Sequence, residues 1–424
     1  MWPVAATDRM SPMGTARQTT HDVLDASAIR AQHSRLLLNL LWKEREISRA
    51  ELARRTSLSR STVSAIVNDL LSTGLVQEAR AGVSSGGRRP IMLEFRDQSS
   101  FIVGIELGAT HISCVLTDLR CNVRASWSAP APVRDEPEVA LRMMTMAVRS
   151  VLEAGGVQPF QVLGVGVAVP SPVDQERPGE LLPLIVPKWK GYNIATYLEE
   201  SFKRPVFVDN DANLGALAEL WWGAGSSASD LAYIKVATGI GAGLIIDGRI
   251  FRGCGGIAGE IGHTSIDPNG PQCVCGLKGC LTTFIGTPAL LELAKDWLRA
   301  SGSDRPPPAG IDELINEALD GDPMSIELIR YAGDKLGVGI ANMLNLLNPE
   351  MVILGGGIAR AGPLVLDAVH KTIRGLSLPA SISNTEIRTT GLNEWGIAVG
   401  AATLVLEGAL ETPALFPTQS REVA

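Results

Sequence analysis

A strand, a glycine-rich turn and a second strand recur twice in this 424-residue chain, and the repeat restricts the fold more than any other feature. The first unit is Phe101-Ile102-Val103-Gly104-Ile105-Glu106, then Leu107-Gly108-Ala109-Thr110, then a strand over 112–117 that ends at Asp118. The second runs from Tyr233-Ile234-Lys235-Val236 through Ala237-Thr238-Gly239-Ile240-Gly241-Ala242-Gly243 into a strand over 244–247. After a long helix around 336–347, the strand 351–354 leads into a third glycine run, Gly355-Gly356-Gly357. β-Branched runs bounded by glycine read as strands and turns. Glycine also lets backbone approach a ligand closely, and converging N–H groups suit a phosphate. One such turn alone more often serves tight geometry than a nucleotide. Two units that echo each other predict two similar lobes.

The front of the chain has a different character. Residues 1–98 hold 14 Lys+Arg against 10 Asp+Glu, a balance of +4, which leaves −11 for the rest of a chain at −7. A basic module on an acidic body suits a nucleic-acid reader joined to something that is not one. Leu36, Leu37, Leu40 and Leu41 form one helical face, and Ser48-Arg49-Ala50-Glu51 has the form of a capping box that opens a second helix. Val63, Ile66, Val67, Leu70 and Leu71 make the buried stripe of a third helix, begun by Ser59 and ended by Gly74. Strands over 75–79 and 91–95 then flank a glycine-rich tip carrying Arg88 and Arg89. Three helices and a hairpin make a winged helix-turn-helix. Opposite the stripe lie Arg60, Ser61, Ser64 and Asn68, with Thr62 in the first turn, and these are the donors and acceptors that base edges in a major groove require. Arg88 and Arg89 are placed to reach phosphates or a narrow minor groove. The alternative is a solvated helix face and a loop with two arginines; helix, turn, helix and basic wing in sequence favour DNA.

Two clusters in the body carry chemistry. His263 with Cys273, Cys275 and Cys280 offers one imidazole and three thiolates, the closed tetrahedral set that structural zinc uses. Buried thiols acting as small hydrophobes are the alternative. Three cysteines within eight residues favour the metal. The second cluster is Val208-Asp209-Asn210-Asp211-Ala212-Asn213, which follows a strand and opens a helix. Asn donates and accepts while Asp accepts from two hydroxyls, the pairing that vicinal hydroxyls of a sugar need, and an Asp there can also act as general base. An ordinary helix cap explains the same residues equally well.

Together the glycine turns, Asn210-Asp211, Gly259-Glu260-Ile261-Gly262-His263 and the three cysteines resemble the ROK family of repressors, open reading frames and kinases, over residues 33–405 or so. The resemblance implies an α/β chain with an N-terminal winged helix-turn-helix and a two-lobed, actin-like (ribonuclease-H-like) body of the ATPase and sugar-kinase type. It also implies that Asn210, Asp211, Glu260 and His263 contact a sugar, and that Asp211 is the catalytic base wherever the protein is a kinase using ATP and Mg2+. The Ser48-to-Ala53 helix and the Gly86-Gly87-Arg88-Arg89-Pro90 wing resemble the repressor branch.

This chain departs from the family's kinases at the phosphate turns. The family pattern Asp-x-Gly-Gly-Thr-Lys is here Glu106-Leu107-Gly108-Ala109-Thr110-His111, the leading glycine of the second turn is Ala237, and the Glu of Gly-Cys-x-Glu is Thr282. Phosphoryl transfer depends on positioning and charge, so such changes disfavour catalysis, although Asp211 remains. Two readings follow: a sugar-responsive DNA-binding repressor with a sugar or sugar-phosphate effector, or an ATP-dependent sugar kinase that also binds DNA. Reading two DNA half-sites requires a homodimer or homotetramer. The expected organisation is a tail over 1–30, the winged helix-turn-helix over 31–98, a first lobe over 99–225 joined by a returning helix at 393–408, a second lobe with the metal over 226–390, and a tail over 411–424. The first ten residues have no apolar core and no membrane span is evident, so a cytoplasmic protein is expected.

Overall fold

The computed structural model describes residues 26–81, 90–183 and 185–416. Most of both expected tails, and the wing arginines Arg88 and Arg89, lie outside the described residues. At the front are helices α1 (Ala26–Glu44), α2 (Arg49–Thr56) and α3 (Arg60–Ser72) with strands β1 (Glu46–Ser48), β2 (Val76–Ala81) and β3 (Ile91–Phe95). The strands form an antiparallel sheet in the order β1-β3-β2. β1 was not foreseen, because three residues are too few to show an alternating pattern. Ser48 caps α2 by accepting the Glu51 N–H, but only half of the expected capping box forms. The Glu51 carboxylate turns to Arg54 and Arg55, whose charge-assisted bonds outcompete a neutral backbone N–H. α3 follows the reading closely: Ser59 accepts the Thr62 N–H, Val63, Ile66, Val67 and Leu70 are buried, and Gly74 at φ 75 follows its end.

α1 differs from expectation in two respects. Its buried face is Leu37, Leu38 and Leu41, while Leu36 is exposed, because the helix packs on both α3 and the C-terminal helix of the body. It also begins inside the span expected as a tail, since Ala28 and Ala31 favour helix and Arg30 pairs with Asp69 at 2.6 Å. At the other end, the 3-10 turn Pro413–Leu415 leads to Phe416, which is buried rather than part of a loose tail.

The body contains two five-stranded sheets of one topology. β4 (Phe101–Leu107), β5 (His111–Thr117), β6 (Val123–Pro130), β7 (Val162–Val169) and β8 (Val206–Asn210) are ordered β6-β5-β4-β7-β8. β9 (Leu231–Val236), β10 (Ile240–Ile246), β11 (Arg249–Ile250), β12 (Met351–Gly355) and β13 (Glu386–Thr389) are ordered β11-β10-β9-β12-β13. In each sheet the first three strands pair antiparallel and the last two join in parallel. This duplicated order is the actin-like double lobe. β4, β5 and β7 are nearly continuous apolar runs because helices cover both faces of their sheet.

α4 (Pro137–Gly155) and α5 (Ile194–Phe202) cover the outside of the first sheet. α6 (Asp211–Trp222) opens directly from β8. Around the second sheet gather α7 (Thr282–Ile285), α8 (Thr287–Ala300), α9 (Ile311–Leu319), α10 (Pro323–Leu347), α11 (Pro363–Leu376) and α12 (Pro379–Ser383). The returning helix, α13, spans Gly396–Glu411 instead of 393–408, because Asn393 accepts the Trp395 N–H and holds the preceding residues in a turn. α6 and α13 lie side by side between the sheets, α6 on β9 and β10, α13 on β4 and β7. One apolar core unites Leu37, Leu41 and Val67 of the front with Leu406 and Leu410 of α13. No helix among the described residues is long and apolar enough to cross a membrane.

Candidate functional site

The strand-to-helix junction at β8 and α6 places Asp209, Asn210 and Asp211 at one helix N-terminus, where backbone N–H groups need acceptors. Asn210 supplies one as the cap: its Oδ1 accepts the Ala212 and Asn213 N–H at 2.9 and 3.2 Å, and its Nδ2 donates to Ser171 O at 3.3 Å. One amide N–H is left for a ligand. Asp209 is structural. Buried, it accepts Arg252 Nε and Nη2 at 2.8 and 2.6 Å and Asn213 Nδ2 at 2.9 Å. Asp211 accepts Lys235 Nζ at 2.8 Å, and the same ammonium donates to Glu106 at 2.9 Å. Burial works against the charge on Lys235, yet Asp211 and then Glu106 more than offset it and raise its pKa. Glu260 is pushed up to about 7, first by burial and then by the charge of Asp211. Its carboxylate stands 3.8 Å from His263 Nε2.

The other ring nitrogen of His263 faces the cysteines. His263 Nδ1 lies 3.5 Å from Cys273 Sγ, and Cys275 Sγ lies 3.7 Å from Cys280 Sγ. Zinc bonds of about 2.3 Å to sulfur and about 2.0 Å to nitrogen in a tetrahedron imply edges of about 3.8 and about 3.5 Å. All four donor atoms sit within 4.8 Å of one another. The set therefore fits a tetrahedral metal ion. Burial, then the neighbouring Cys275, push the Cys280 thiol up to about 12, so its proton is one that a bound cation would have to displace. The loop is pinned by Leu281 N–H to Thr264 O and Ile266 N–H to Gly279 O, so a metal would fix Glu260 and His263 against the cleft.

At the front, the polar face of α3 is open. Arg60, Ser61 and Asn68 are exposed and Thr62 and Ser64 half-buried. Asn68 Oδ1 accepts from Arg49, which also pairs with Glu78 at 2.9 Å, so α2 braces the face. Ser59 Oγ lies 2.8 Å from the hydroxyls of both Ser61 and Thr62.

The sequence pattern of the ROK family matches residues 102–408, and that of winged helix-turn-helix DNA-binding domains matches residues 30–77. This chain belongs to the ROK family. The xylose repressor of Caldicellulosiruptor bescii is 33% identical over 384 residues, which cover 89% of this chain and 96% of that protein. A solved ROK family transcriptional regulator, described as a homologue of the Escherichia coli MLC protein, superposes with a TM-score of 0.76 at 25% identity, covering 91% of this chain and 98% of its own. A ROK family glucokinase from Streptomyces griseus, solved with glucose and AMPPNP, gives a TM-score of 0.64 at 27% identity; it covers 72% of this chain and 99% of its own. The regulator thus spans the front of the chain as well as the body.

Against the ROK kinase pattern, the structure explains where this chain's glycines go. In the second turn only Ala237 to Gly239 turn, with the Ala237 N–H on Gly239 O at 2.9 Å; Ile240 to Gly243, expected as loop, belong to β10. A Cβ on Gly243 would stand 2.1 Å from Ala212 O of α6, so that glycine serves helix-on-sheet packing. In the first turn the His111 ring lies against Gly108, within 2.5 Å of where a Cβ would be, and its Nε2 is 3.9 Å from Glu106. Thr282 opens α7. Sequence reasoning missed Lys235 and Arg252. A signal for Lys235 existed, as the one cation in the otherwise apolar Leu231-Ala232-Tyr233-Ile234-Lys235-Val236; Arg252, in a loop, had none.

Proposed function

We propose that this ROK protein is a sugar-responsive, DNA-binding transcriptional repressor of genes for carbohydrate uptake or metabolism, acting in the cytoplasm as a homodimer or homotetramer. The observation that carries this reading is a winged helix-turn-helix sharing one apolar core with a sugar-kinase-like body. The sugar is held by Asn210, Asp211, Glu260 and His263. Arg60, Ser61, Thr62, Ser64 and Asn68 face the operator, with Arg88 and Arg89 from the wing. His263, Cys273, Cys275 and Cys280 hold a structural zinc ion; when bound, it supplies rigidity to the loop that carries Glu260 and takes no part in chemistry. The relative named as a xylose repressor supports the same class of function.

Thermal-shift binding with a panel of pentoses, hexoses and N-acetylhexosamines, beside operator binding with each sugar, tests the reading. A protein whose operator affinity no sugar changes is not a sugar-responsive regulator. At pH 8, above the raised pKa of Glu260, Glu260→Gln is expected to weaken the responding sugar about 10- to 100-fold, the loss of one or two hydrogen bonds to a charged acceptor. Arg60→Ala is expected to weaken operator binding about 10-fold or more and, where Arg60 lies on phosphate, to reduce the salt slope by about one. Fluorescence anisotropy across a salt series reads both, and unchanged affinity and slope would remove α3 from the interface.

Asp211 keeps a second reading alive, that of an ATP-dependent sugar kinase with Mg2+ and Asp211 as base. A coupled assay over the same panel decides it: turnover abolished by Asp211→Ala makes the chain a kinase.

A further inference from the structure

The end of the cleft where a kinase would handle phosphate carries a side chain that neither the repressor nor the kinase reading uses. Lys235 projects from near the C-terminal end of β9 into the space between β4 of one lobe and the start of α6, and its side chain is only 12% exposed. It donates to Glu106 at 2.9 Å and to Asp211 at 2.8 Å, so two of its three N–H donors lie on carboxylates. Glu106 and Asp211 are themselves nearly buried. Two inward-facing carboxylates at a lobe junction are the hard oxygen donors that Mg2+ or Mn2+ takes, together with the phosphates of a nucleotide. Here a fixed ammonium already occupies the position between them.

We propose that Lys235 is a resident cation that closes the phosphate end of the cleft: it bridges Glu106 and Asp211 in place of a divalent ion, so the pocket takes an uncharged sugar and excludes both a divalent-ion nucleotide and a phosphorylated sugar. Three consequences follow from the charges. A lysine tethered to the backbone is present at an effective concentration that free Mg2+ in the cell does not match. Asp211 Oδ2 is committed as an acceptor to a fixed ammonium, which takes one of the sites at which the carboxylate could accept from a substrate hydroxyl. The triad keeps a net charge of −1, and the nearby Asp209 is already balanced by Arg252. A dianionic phosphate therefore meets no unbalanced cation among the described residues of the cleft floor. The His111 ring over Gly108 completes the closure, since it lies where a phosphate would have to approach the first turn. The third ammonium N–H is available to a sugar hydroxyl, which makes Lys235 a specificity-determining residue as well as a block.

The inference rests on the proposed sugar site, but its test does not depend on any sugar. Zinc-saturated wild-type protein and Lys235→Met, which keeps the stem and removes the charge, are titrated with Mn2+ and with Mn2+·AMPPNP, following free Mn2+ by electron paramagnetic resonance and Tm by thermal shift. The wild type is expected to show no saturable Mn2+ and no Tm change at millimolar concentration. Lys235→Met is expected to bind one Mn2+ per chain at least 10-fold more tightly than any wild-type binding and to gain Tm when it does. If Lys235→Met does not fold, Lys235→Gln, which removes the charge, keeps an N–H donor for the carboxylates and leaves both Glu106 and Asp211 in place, is read the same way. Saturable Mn2+·AMPPNP binding by the wild type, or a folded variant without bound Mn2+, would overturn the proposal while leaving the sugar reading standing. In the sugar panel, each responding sugar is expected to shift Tm and its phosphate ester is not; an ester that binds as well as its parent sugar overturns the exclusion, whereas silence from every sugar sinks the sugar site and not the lysine bridge.

Discussion

Cys280→Ser is expected to strip the protein of about one zinc ion per chain and to lower its Tm by about 10–15 °C. Structural zinc contributes roughly 10–16 kcal/mol to the folding of finger peptides, which have little other core. Here the metal loop also rests on buried Leu281 and Ile261, which join the core of the second lobe, so a smaller loss of about 4–5 kcal/mol is expected. At about 2–4 °C per kcal/mol for a domain of this size, that loss yields the stated shift. The effect reaches function through the chain's own geometry. Glu260 precedes the 3-10 turn Ile261–His263 and His263 ends it, and the cysteine loop is held against the turn by the Leu281 N–H on Thr264 O and by Cys280 Sγ on His263 O. Without the ion, three thiols and an imidazole must share one volume unaided, and the loop opens at its exposed tip, where Val274 and Leu277 already face solvent. Elemental analysis, thermal melting and limited proteolysis between Cys273 and Cys280 measure the three consequences, with sugar binding expected to fall in parallel. A purified wild-type protein that is metal-free, fully folded and unchanged in Tm by chelator would remove the metal from the account.

How much of this was legible in the sequence depended on whether the signal was local. α3 announced itself because Ser59, the Val63-to-Leu70 stripe and Gly74 are each local devices, and each behaves as local chemistry dictates. The double lobe was legible because strand–glycine–strand units repeat. The convergence of the three thiols with His263 was legible because Cys273, Cys275 and Cys280 are neighbours in the chain. What failed was non-local. α1 turned its apolar face by about one residue because a helix from the far end of the chain packs on it, and no window around Leu36 contains that information. Gly243 looked like part of a phosphate turn but is there to admit α6. Asn210 is used mostly as a cap and Asp209 as a partner for Arg252 and Asn213, so most of the hydrogen-bonding capacity of the acid-and-amide cluster is spent on structure. Lys235 carried a signal, a charge in an apolar strand, but its meaning depended on two acids from other elements.

Trp42→Ala is expected to abolish the effect of the sugar on operator affinity while leaving each binding event, taken alone, within about threefold of wild type. The reasoning starts from α6. Asn210 caps its start and Asp211 opens it, both in the proposed sugar site, and its last residues, Trp221 and Trp222, lie about 18 Å away along a helix of 12 residues. There they pack on Trp42 of α1, with ring centroids 5.4 and 6.2 Å apart. Trp42 is tied to the body, its Nε1 donating to Leu119 O at 3.0 Å and its ring lying 4.4 Å from the Arg120 guanidinium, which also donates to Trp42 O. Trp222 Nε1 in turn donates to Thr403 of α13, and Asn39 of α1 donates to Leu410 of the same helix. A sugar that shifts α6 against β9 must therefore move the floor on which α1, and with it α3, stands. Coupling between two sites is a free energy, typically about 1–3 kcal/mol or 5- to 150-fold in affinity, and it requires a physical element that both sites bias. The tryptophan trio links the end of α6 directly to α1, on which α3 packs. Operator affinity measured with and without saturating sugar gives the ratio directly: wild type is expected to show at least fivefold, Trp42→Ala a ratio near one, and Trp42→Phe, which keeps a ring in the stack, a value between them. A Trp42→Ala protein that folds, binds both ligands and keeps the full ratio would show that the signal travels through α13 and the lobe angle instead, because those are the contacts the substitution leaves in place.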